Sequence, residues 1–251
     1  MPRQCTFCPD QADSREDIYP VWLLEKIGNV GPFLHKMVGV PDTEIDTPIR
    51  KAKVVCANCN QGWMSSLESE TKPIMSPLIA DLSVSLSEHD QNALARWTAK
   101  TAMMFDAASR RRTELCYQRS SGERLRTHKE VPRLTAIWLG RFFRHELFTR
   151  AGRAWFTINE VPKAAHGCIT TFIFGHLVIQ SMTVNAGPEY TEENFPSIRA
   201  ANGPWNTTLV QIWPNTGTVN WPPAQFFVST GPHSIGRLIN RWAPMNRWLI
   251  G

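Results

Sequence analysis

The most regular pattern of hydrophobic and polar positions lies between residues 88 and 112 and predicts a long helix. Apolar side chains recur there with helical spacing at Leu94, Trp97, Met104 and Ala108. Ser87 precedes the pattern and Asp90 follows three positions later, which resembles a capping box with Asp in place of the usual Glu. This helix is the most strongly indicated element of the chain.

The N-terminal third contains shorter signals. Pro20 and Gly28 bracket an apolar stretch and predict a short helix, because Pro suits the first helical turn and Gly suits the end. Residues 29–52 show no clear period and contain several prolines, so we expect a loop there. A second helix is expected to start near Asn60 and to end before Pro73, since the residue before a proline disfavours helical geometry.

From about residue 134 the pattern changes to runs of β-branched and aromatic side chains, which predict strands. These runs are residues 134–139, 154–158, 168–174, 176–183 and 207–213. Gly175 separates two of them and is expected at a bulge or a bend. A short basic helix is expected at residues 234–242. The helical and strand signals together predict an α+β fold.

Length and composition are those of an ordinary globular protein. The chain has 251 residues, of which 42% are hydrophobic and 20% are charged. We expect two parts, a module at residues 1–80 and a basic α+β domain at residues 81–251. No apolar run is long enough to span a bilayer, and the first residues do not resemble a signal peptide. These observations predict a cytoplasmic protein with no membrane partner.

Positive charge is concentrated in the middle of the chain. The net charge is +5, yet residues 96–153 alone hold 14 basic and 5 acidic residues. Such an excess fits contacts with DNA phosphates, which set affinity and not sequence preference. The side chains that we expect to contact nucleic acid are Arg96, Lys100, Arg110, Arg111 and Arg112. An ordinary solvated surface explains the same excess equally well.

Two Cys-x-x-Cys pairs predict a metal site. The four cysteines are Cys5, Cys8, Cys56 and Cys59. In a reducing compartment paired thiols more often bind metal than form disulfides, and four thiolates suit a structural Zn²⁺. Cys116 and Cys168 have no partner nearby in the sequence, and we expect them to be small buried apolar side chains.

The order of these motifs resembles the HNH, or ββα-metal, endonucleases with a four-cysteine zinc, a group that includes phage resolvases. The matching pieces are Cys5, Cys8, Glu16-Asp17-Ile18-Tyr19-Pro20, Cys56, Cys59 and Asn60. The match covers about residues 1–80. The resemblance implies a zinc-stapled N-terminal ββα module, followed here by a helical segment and a β-rich C-terminal domain.

The resemblance also implies a catalytic site. In such enzymes a carboxylate and an amide hold one divalent cation against the scissile phosphate, and a histidine deprotonates the attacking water. Carried over to this chain, Glu16 and Asn60 are the ligands of Mg²⁺ or Mn²⁺, with Glu68 as a candidate third ligand. Asp17 replaces the histidine, and the reference pKa of an aspartate, near 3.9, is too low for a base at neutral pH.

Two functions remain open on this basis. The first is an HNH-like, metal-dependent endonuclease acting on DNA, in which Asp17 is a second metal ligand and the base is another group such as His35. The second is a non-catalytic, zinc-stapled protein, such as a phage or host-defence accessory, that binds nucleic acid or a protein partner. Simpler roles also fit, with Glu16 and Asp17 in a solvated turn and Asn60 as a helix N-cap.

Overall fold

The fold mixes helices and strands, as the sequence predicts. The computed structural model describes residues 3–28, 33–37, 40–45, 51–109, 115–158, 161–185, 205, 207–215 and 217–240. An N-terminal β-β-α region carries the cysteine cluster, and a β-rich part follows it. The α+β fold class is therefore confirmed.

The first strands and helix frame the N-terminal region. Strand β1 (Ser14–Asp17) pairs antiparallel with β4 (Lys51–Val55). Helix α1 (Val21–Ile27) begins after Pro20 and ends before Gly28, whose φ of 74° lies in the positive-φ region that glycine adopts without strain. The helix predicted between this proline and this glycine is confirmed.

The loop predicted at residues 29–52 is wrong for much of its length. Strands β2 (Phe33–Met37) and β3 (Val40–Ile45) form an antiparallel hairpin within it. The loop was predicted partly because of Pro41, since proline is excluded from the middle of a sheet. A two-stranded hairpin has two edges, and an edge position tolerates a missing N–H.

The helix after β4 is longer and less regular than predicted. It starts as a short turn, α2 (Ala57–Cys59), widens through a π-helical turn (Asn60–Met64), and continues as α3 (Ser65–Ile79). The prediction that it ends before Pro73 is wrong. The helix buries an apolar stripe that includes Leu67, Met75 and Leu78. Burial of this stripe outweighs the roughly 3 kcal/mol that an interior proline costs.

The long helix is confirmed, together with its capping box. Helix α4 (Glu88–Ser109) follows strand β5 (Val84–Leu86). The Ser87 backbone N–H donates to Oδ2 of Asp90 over 2.9 Å, and the Asp90 N–H donates back to Oγ of Ser87 over 3.2 Å. Residues 110–112, the last of the predicted helix, lie outside the described residues. Helix α5 (Arg119–His128) comes next.

A three-stranded antiparallel sheet forms the β-rich part, in the order β7-β6-β8. Its strands are β6 (Thr135–Ile158), β7 (Val161–Asn185) and β8 (Leu209–Trp213). The runs predicted as four separate strands belong to β6 and β7, because pairing continues along the whole hairpin. Gly175 has a φ of 62° where the register of β6 against β7 shifts, so the irregularity predicted at this glycine is confirmed; the extra residues of the bulge lie opposite it on β6.

The last described elements are a short strand and a short helix. Strand β9 (Val219–Trp221) pairs with β5, far earlier in the chain. Helix α6 (Ile235–Ile239) falls within the predicted C-terminal helix, and Oγ of Ser234 accepts the N–H of Arg237 as its N-cap. None of the described helices combines the length and the apolar character needed to cross a bilayer.

One buried cluster joins the N-terminal region to the later elements. It contains the four paired cysteines, Trp97 of α4 and Phe174 of β7, whose rings meet edge to face with centroids 5.9 Å apart. Side chains from both sides of residue 80 share this cluster, and the division into two domains stays a prediction. A second cluster surrounds Trp138 on the opposite face of the sheet, because neighbouring residues of a strand point to opposite faces.

Candidate metal centre and carboxylate cluster

Two backbone turns bring the four cysteines together. Cys5 and Cys8 lie in the turn before β1, and the N–H of Thr6 in this turn donates to the carbonyl of Val54 in β4 over 2.9 Å. Cys56 is the N-cap of α2, and its sulfur accepts the N–H of Cys59 over 3.4 Å. The β1–β4 pairing therefore fixes one knuckle against the other.

The geometry of these sulfurs fits a tetrahedral zinc. The four Sγ atoms lie within 4.8 Å of one another, all four side chains are buried, and the Cys8 and Cys56 sulfurs are 3.4 Å apart. Four sulfurs at ~2.3 Å from one zinc ion are separated by ~3.8 Å. Small shifts of the sulfurs therefore produce the coordination geometry, and the sequence prediction of a four-cysteine metal site agrees with the structure.

The thiols of this cluster differ in pKa because they interact with one another and are buried to different extents. A hydrogen bond from Cys59 lowers the pKa of Cys5 to about 5, and the same interaction raises the pKa of Cys59. Burial raises the pKa of Cys8 to about 12. A bound soft divalent metal would replace the protons of the thiols and stabilise all four thiolates at once.

Three residues that the resemblance assigns to catalysis interact with one another. Glu16 lies on β1, Asn60 opens the π-helical turn, and Glu68 lies in the first turn of α3. Asn60 hydrogen-bonds the carboxylate of Glu16, and its Nδ2 also donates to Oγ of Ser14 over 2.9 Å. Asn60 is thus inside the helical turn and does not act as an N-cap. We call Glu16, Asn60, Glu68 and Lys100 the carboxylate cluster.

Burial and charge act strongly on Glu16. Its partial burial, together with the repulsion of Glu68, raises its pKa to about 7, despite the opposing effects of Lys100 and Asn60. When both carboxyl groups are ionised, the single ammonium leaves the cluster one positive charge short of neutrality. Carboxylate and amide oxygens are the ligands that Mg²⁺ and Mn²⁺ prefer, so the donor set fits such a cation.

Lys100 completes the cluster from α4. Its ammonium lies 2.6 Å from Oε1 of Glu68 and 5.6 Å from the centre of the Trp97 ring. The prediction that Lys100 contacts nucleic acid is wrong, because its side chain is completely buried. Residues three apart share one face of a helix, so Lys100 faces the core together with Trp97. The sequence carries no signal for this ion pair, since its partners are 32 residues apart.

Asp17 points away from Glu16. Adjacent residues on a strand face opposite sides, and Asp17 pairs across β1–β4 with Lys51, with 4.0 Å between Oδ2 and Nζ. Its other carboxylate oxygen is buried without a hydrogen-bond partner. His35, the alternative base, lies on β2. Among the side chains that the structure describes, no histidine belongs to the carboxylate cluster.

Several basic residues of the central stretch hold the fold together. Nη2 of Arg96 donates to Glu70 over 2.6 Å. From α5, Nη2 of Arg119 and Nε of Arg126 donate to the carbonyls of Cys8 and Phe7 over 3.0 and 3.1 Å. Part of the positive charge thus stabilises the first cysteine knuckle. Arg110, Arg111 and Arg112 lie outside the described residues.

The expectation for the remaining two cysteines is wrong in one respect. Cys116 and Cys168 are buried, as predicted, but they pair with each other as a disulfide across 52 residues. Cys116 precedes α5 and Cys168 lies on β7, and their Cα atoms are 5.7 Å apart. Sequence spacing could not reveal this pair, because the long β6–β7 hairpin brings the two segments together.

Comparisons with protein-family models, curated proteins and solved structures found no match to this chain. The resemblance to HNH endonucleases thus depends on motif order and on geometry. The established part is a buried four-cysteine cluster next to a β-β-α stretch.

Proposed function

We propose that this protein is an HNH-like, metal-dependent endonuclease that hydrolyses phosphodiester bonds in DNA. The observation that supports the proposal is the proximity of residues from three elements: Asn60 hydrogen-bonds the Glu16 carboxylate, and Glu68 is near enough to repel its charge. These residues are 52 positions apart at most, and the resemblance assigns all three to one metal. The cysteine cluster with Zn²⁺ would serve as the scaffold.

The residues of the cluster have distinct parts in this proposal. Glu16, Asn60 and Glu68 hold the cation through their oxygen atoms, and Ser14 keeps the amide of Asn60 in place. A bound Mg²⁺ or Mn²⁺ stabilises negative charge on the phosphate and on the leaving oxygen. Lys100 orients Glu68 through the buried ion pair. Asp17 faces Lys51, so the proton of the attacking water goes to another acceptor.

The decisive test is nicking of supercoiled plasmid with added Mg²⁺ or Mn²⁺. We expect Glu16→Gln and Glu68→Gln to lower the nicking rate at least about a hundredfold, because each removes a charged ligand that stabilises the transition state. Glu88→Gln is the matched control, since Glu88 is an exposed carboxylate on α4. If these two variants nick as fast as the control, the carboxylate cluster is not the active site.

A second function is favoured by Asp17, which stands where the resemblance expects the general base. A protein without this base would bind nucleic acid or a protein partner without cutting. Exposed arginines such as Arg144 and Arg150 on β6 suit phosphate contacts. Asp17→His separates the two functions, because an imidazole suits proton transfer at neutral pH and general-base catalysis contributes ~10²–10⁴-fold. DNA binding that weakens with salt, without nicking by either protein, would establish the binding function.

A further inference from the structure

A second group of metal-type ligands lies away from the carboxylate cluster. Cys116, Cys168 and His166 each offer one ligand atom, and these atoms lie within 4.8 Å of one another. Both cysteines are buried and His166 is partly buried. His166 and Cys168 are two residues apart on β7, so both point to the same face of the strand.

Neighbouring polar groups hold this trio in place. Nδ2 of Asn185 donates to the carbonyl of Cys116 over 2.8 Å and to Sγ of Cys168 over 3.1 Å, and it lies 3.2 Å from Nε2 of His166. The backbone N–H of Cys116 donates to Oδ2 of Asp106 over 2.7 Å. A disulfide that only braces the fold needs no such donor at its sulfur. An N–H aimed at sulfur stabilises a thiolate, which is the form that binds metal.

We propose that reduced Cys116 and Cys168, together with His166, form a second metal site for Zn²⁺ or a similar soft divalent cation. Zinc bound to two thiolates and one imidazole separates these ligand atoms by ~3.4–3.8 Å, so shifts of about 1 Å suffice. Three protein ligands leave a fourth position for water, which reaches the site beside the partly buried His166. The disulfide is then the metal-free form of the same site.

Thiol–disulfide exchange interconverts the two forms. A dithiol attacks the Cys116–Cys168 bond, supplies two electrons and two protons, and closes its own S–S bond, which leaves two cysteine thiols. Metal binding releases these two protons to solvent. The first metal site requires four reduced cysteines, so conditions that preserve it also favour the reduced form of the second site.

The test is the zinc content of the full chain in two redox states. Protein purified with a dithiol reductant and freed of loose metal should carry one more zinc per chain than the same protein after oxidation with glutathione disulfide. His166→Gln should abolish this difference, while thiol counting in denaturant should still show two thiols lost on oxidation. His128→Gln is the matched control, since His128 is exposed at the end of α5, and it should keep the difference.

Two results would overturn the proposal. One is equal zinc content in the reduced and oxidised protein, which would make the pair a bracing disulfide. The other is an unchanged redox difference in His166→Gln, which would assign the lost zinc to the first cysteine cluster. As an independent measurement, Co²⁺ added to reduced protein should give thiolate charge-transfer absorption that Cys116→Ser with Cys168→Ser lowers by about one third, since two of six thiolates are removed. An unchanged absorption would contradict a second site.

Discussion

Glu16 shows how the surroundings of one carboxyl change its chemistry. Its pKa rises from 4.5 to about 7 because it is partly buried and because Glu68 repels its charged form. The native state therefore holds a proton on Glu16 at pH values where the unfolded chain has lost it. The same surroundings make the site receptive to a cation, since a bound divalent ion relieves the repulsion between the two carboxylates.

The first prediction concerns pH. Between pH 4.5 and 7 the native state binds more protons than the unfolded state at Glu16, so the free energy of unfolding falls as pH rises through this window. Glu16→Gln removes this dependence. After allowance for solvent screening, we expect the variant to gain about 1–2 kcal/mol relative to wild type between pH 4 and pH 8.

Urea unfolding at the two pH values, without added divalent cations, measures this gain. Glu88→Gln should show no comparable change, because its carboxylate is exposed. A constant difference between Glu16→Gln and wild type across the window would mean that Glu16 titrates as an ordinary carboxyl.

At the scale of single residues, the pattern of the sequence predicted that the four paired cysteines come together. The order of the motifs also identified Glu16, Asn60 and Glu68 as candidate metal ligands. Lys100 and the Cys116–Cys168 pair escaped prediction for the same physical reason. The burial of Lys100 and the disulfide both depend on how elements distant in the sequence pack together. Residue spacing gives no information about that packing.

Secondary-structure elements follow local chemistry where that chemistry is strong. The α4 capping box and the backbone irregularity at Gly175 were both predictable, since each requires a particular residue at a particular backbone position. Helix α3 passes through Pro73 because its apolar stripe packs against the core, and β3 accommodates Pro41 at an edge. These two elements were mispredicted because tertiary packing overrode local preference.

The second prediction concerns Gly175 of β7, which lies opposite the bulge of β6. A Cβ atom added at Gly175 would lie 2.8 Å from both the backbone oxygen and a side-chain carbon of Ile79, at a φ of 62°. We expect Gly175→Ala to lower the free energy of unfolding by about 2–4 kcal/mol, from left-handed strain and overpacking together.

Gly152→Ala is the matched control on the neighbouring strand β6, where an added Cβ meets no atom within 4 Å. Its effect should stay within about 0.5 kcal/mol. Chemical denaturation of both variants gives the comparison. If the two variants were equally stable, residue 175 and Ile79 would move apart without a cost in free energy.

At the scale of the whole molecule, the cysteine cluster belongs to the main core. The buried cluster that contains Cys5, Cys8, Cys56 and Cys59 also contains Trp97 and Phe174. A zinc ion bound here would therefore stabilise the main core as well as the two cysteine turns. The apparent binding free energy of a structural zinc, ~10–16 kcal/mol, is as large as the total stability of a typical domain, ~5–15 kcal/mol.

The third prediction follows from this arrangement. Cys56→Ser should abolish cooperative unfolding and the bound zinc of the first site, because α2 loses its capping sulfur and the metal loses a ligand. Circular dichroism on heating and elemental analysis provide the readouts. Asn58→Ser, an exposed change between the two cysteines of the same knuckle, should leave both readouts unchanged. A folded, metal-free Cys56→Ser protein would contradict a structural zinc.

The long β6–β7 hairpin also bears on how separate copies of the chain meet. Strand β8 pairs only with residues 137–140 of β6, and from Glu146 outward β7 is the sole hydrogen-bonded neighbour among the described strands. An open strand edge invites the edge of another molecule, and exposed charge discourages such pairing. Arg150 is exposed on this part of β6 and Arg144 is exposed just before it, so we expect the two charges to discourage edge-to-edge pairing. Replacing both with Val should raise light scattering at high protein concentration, and unchanged scattering would show that the edge is protected by other means.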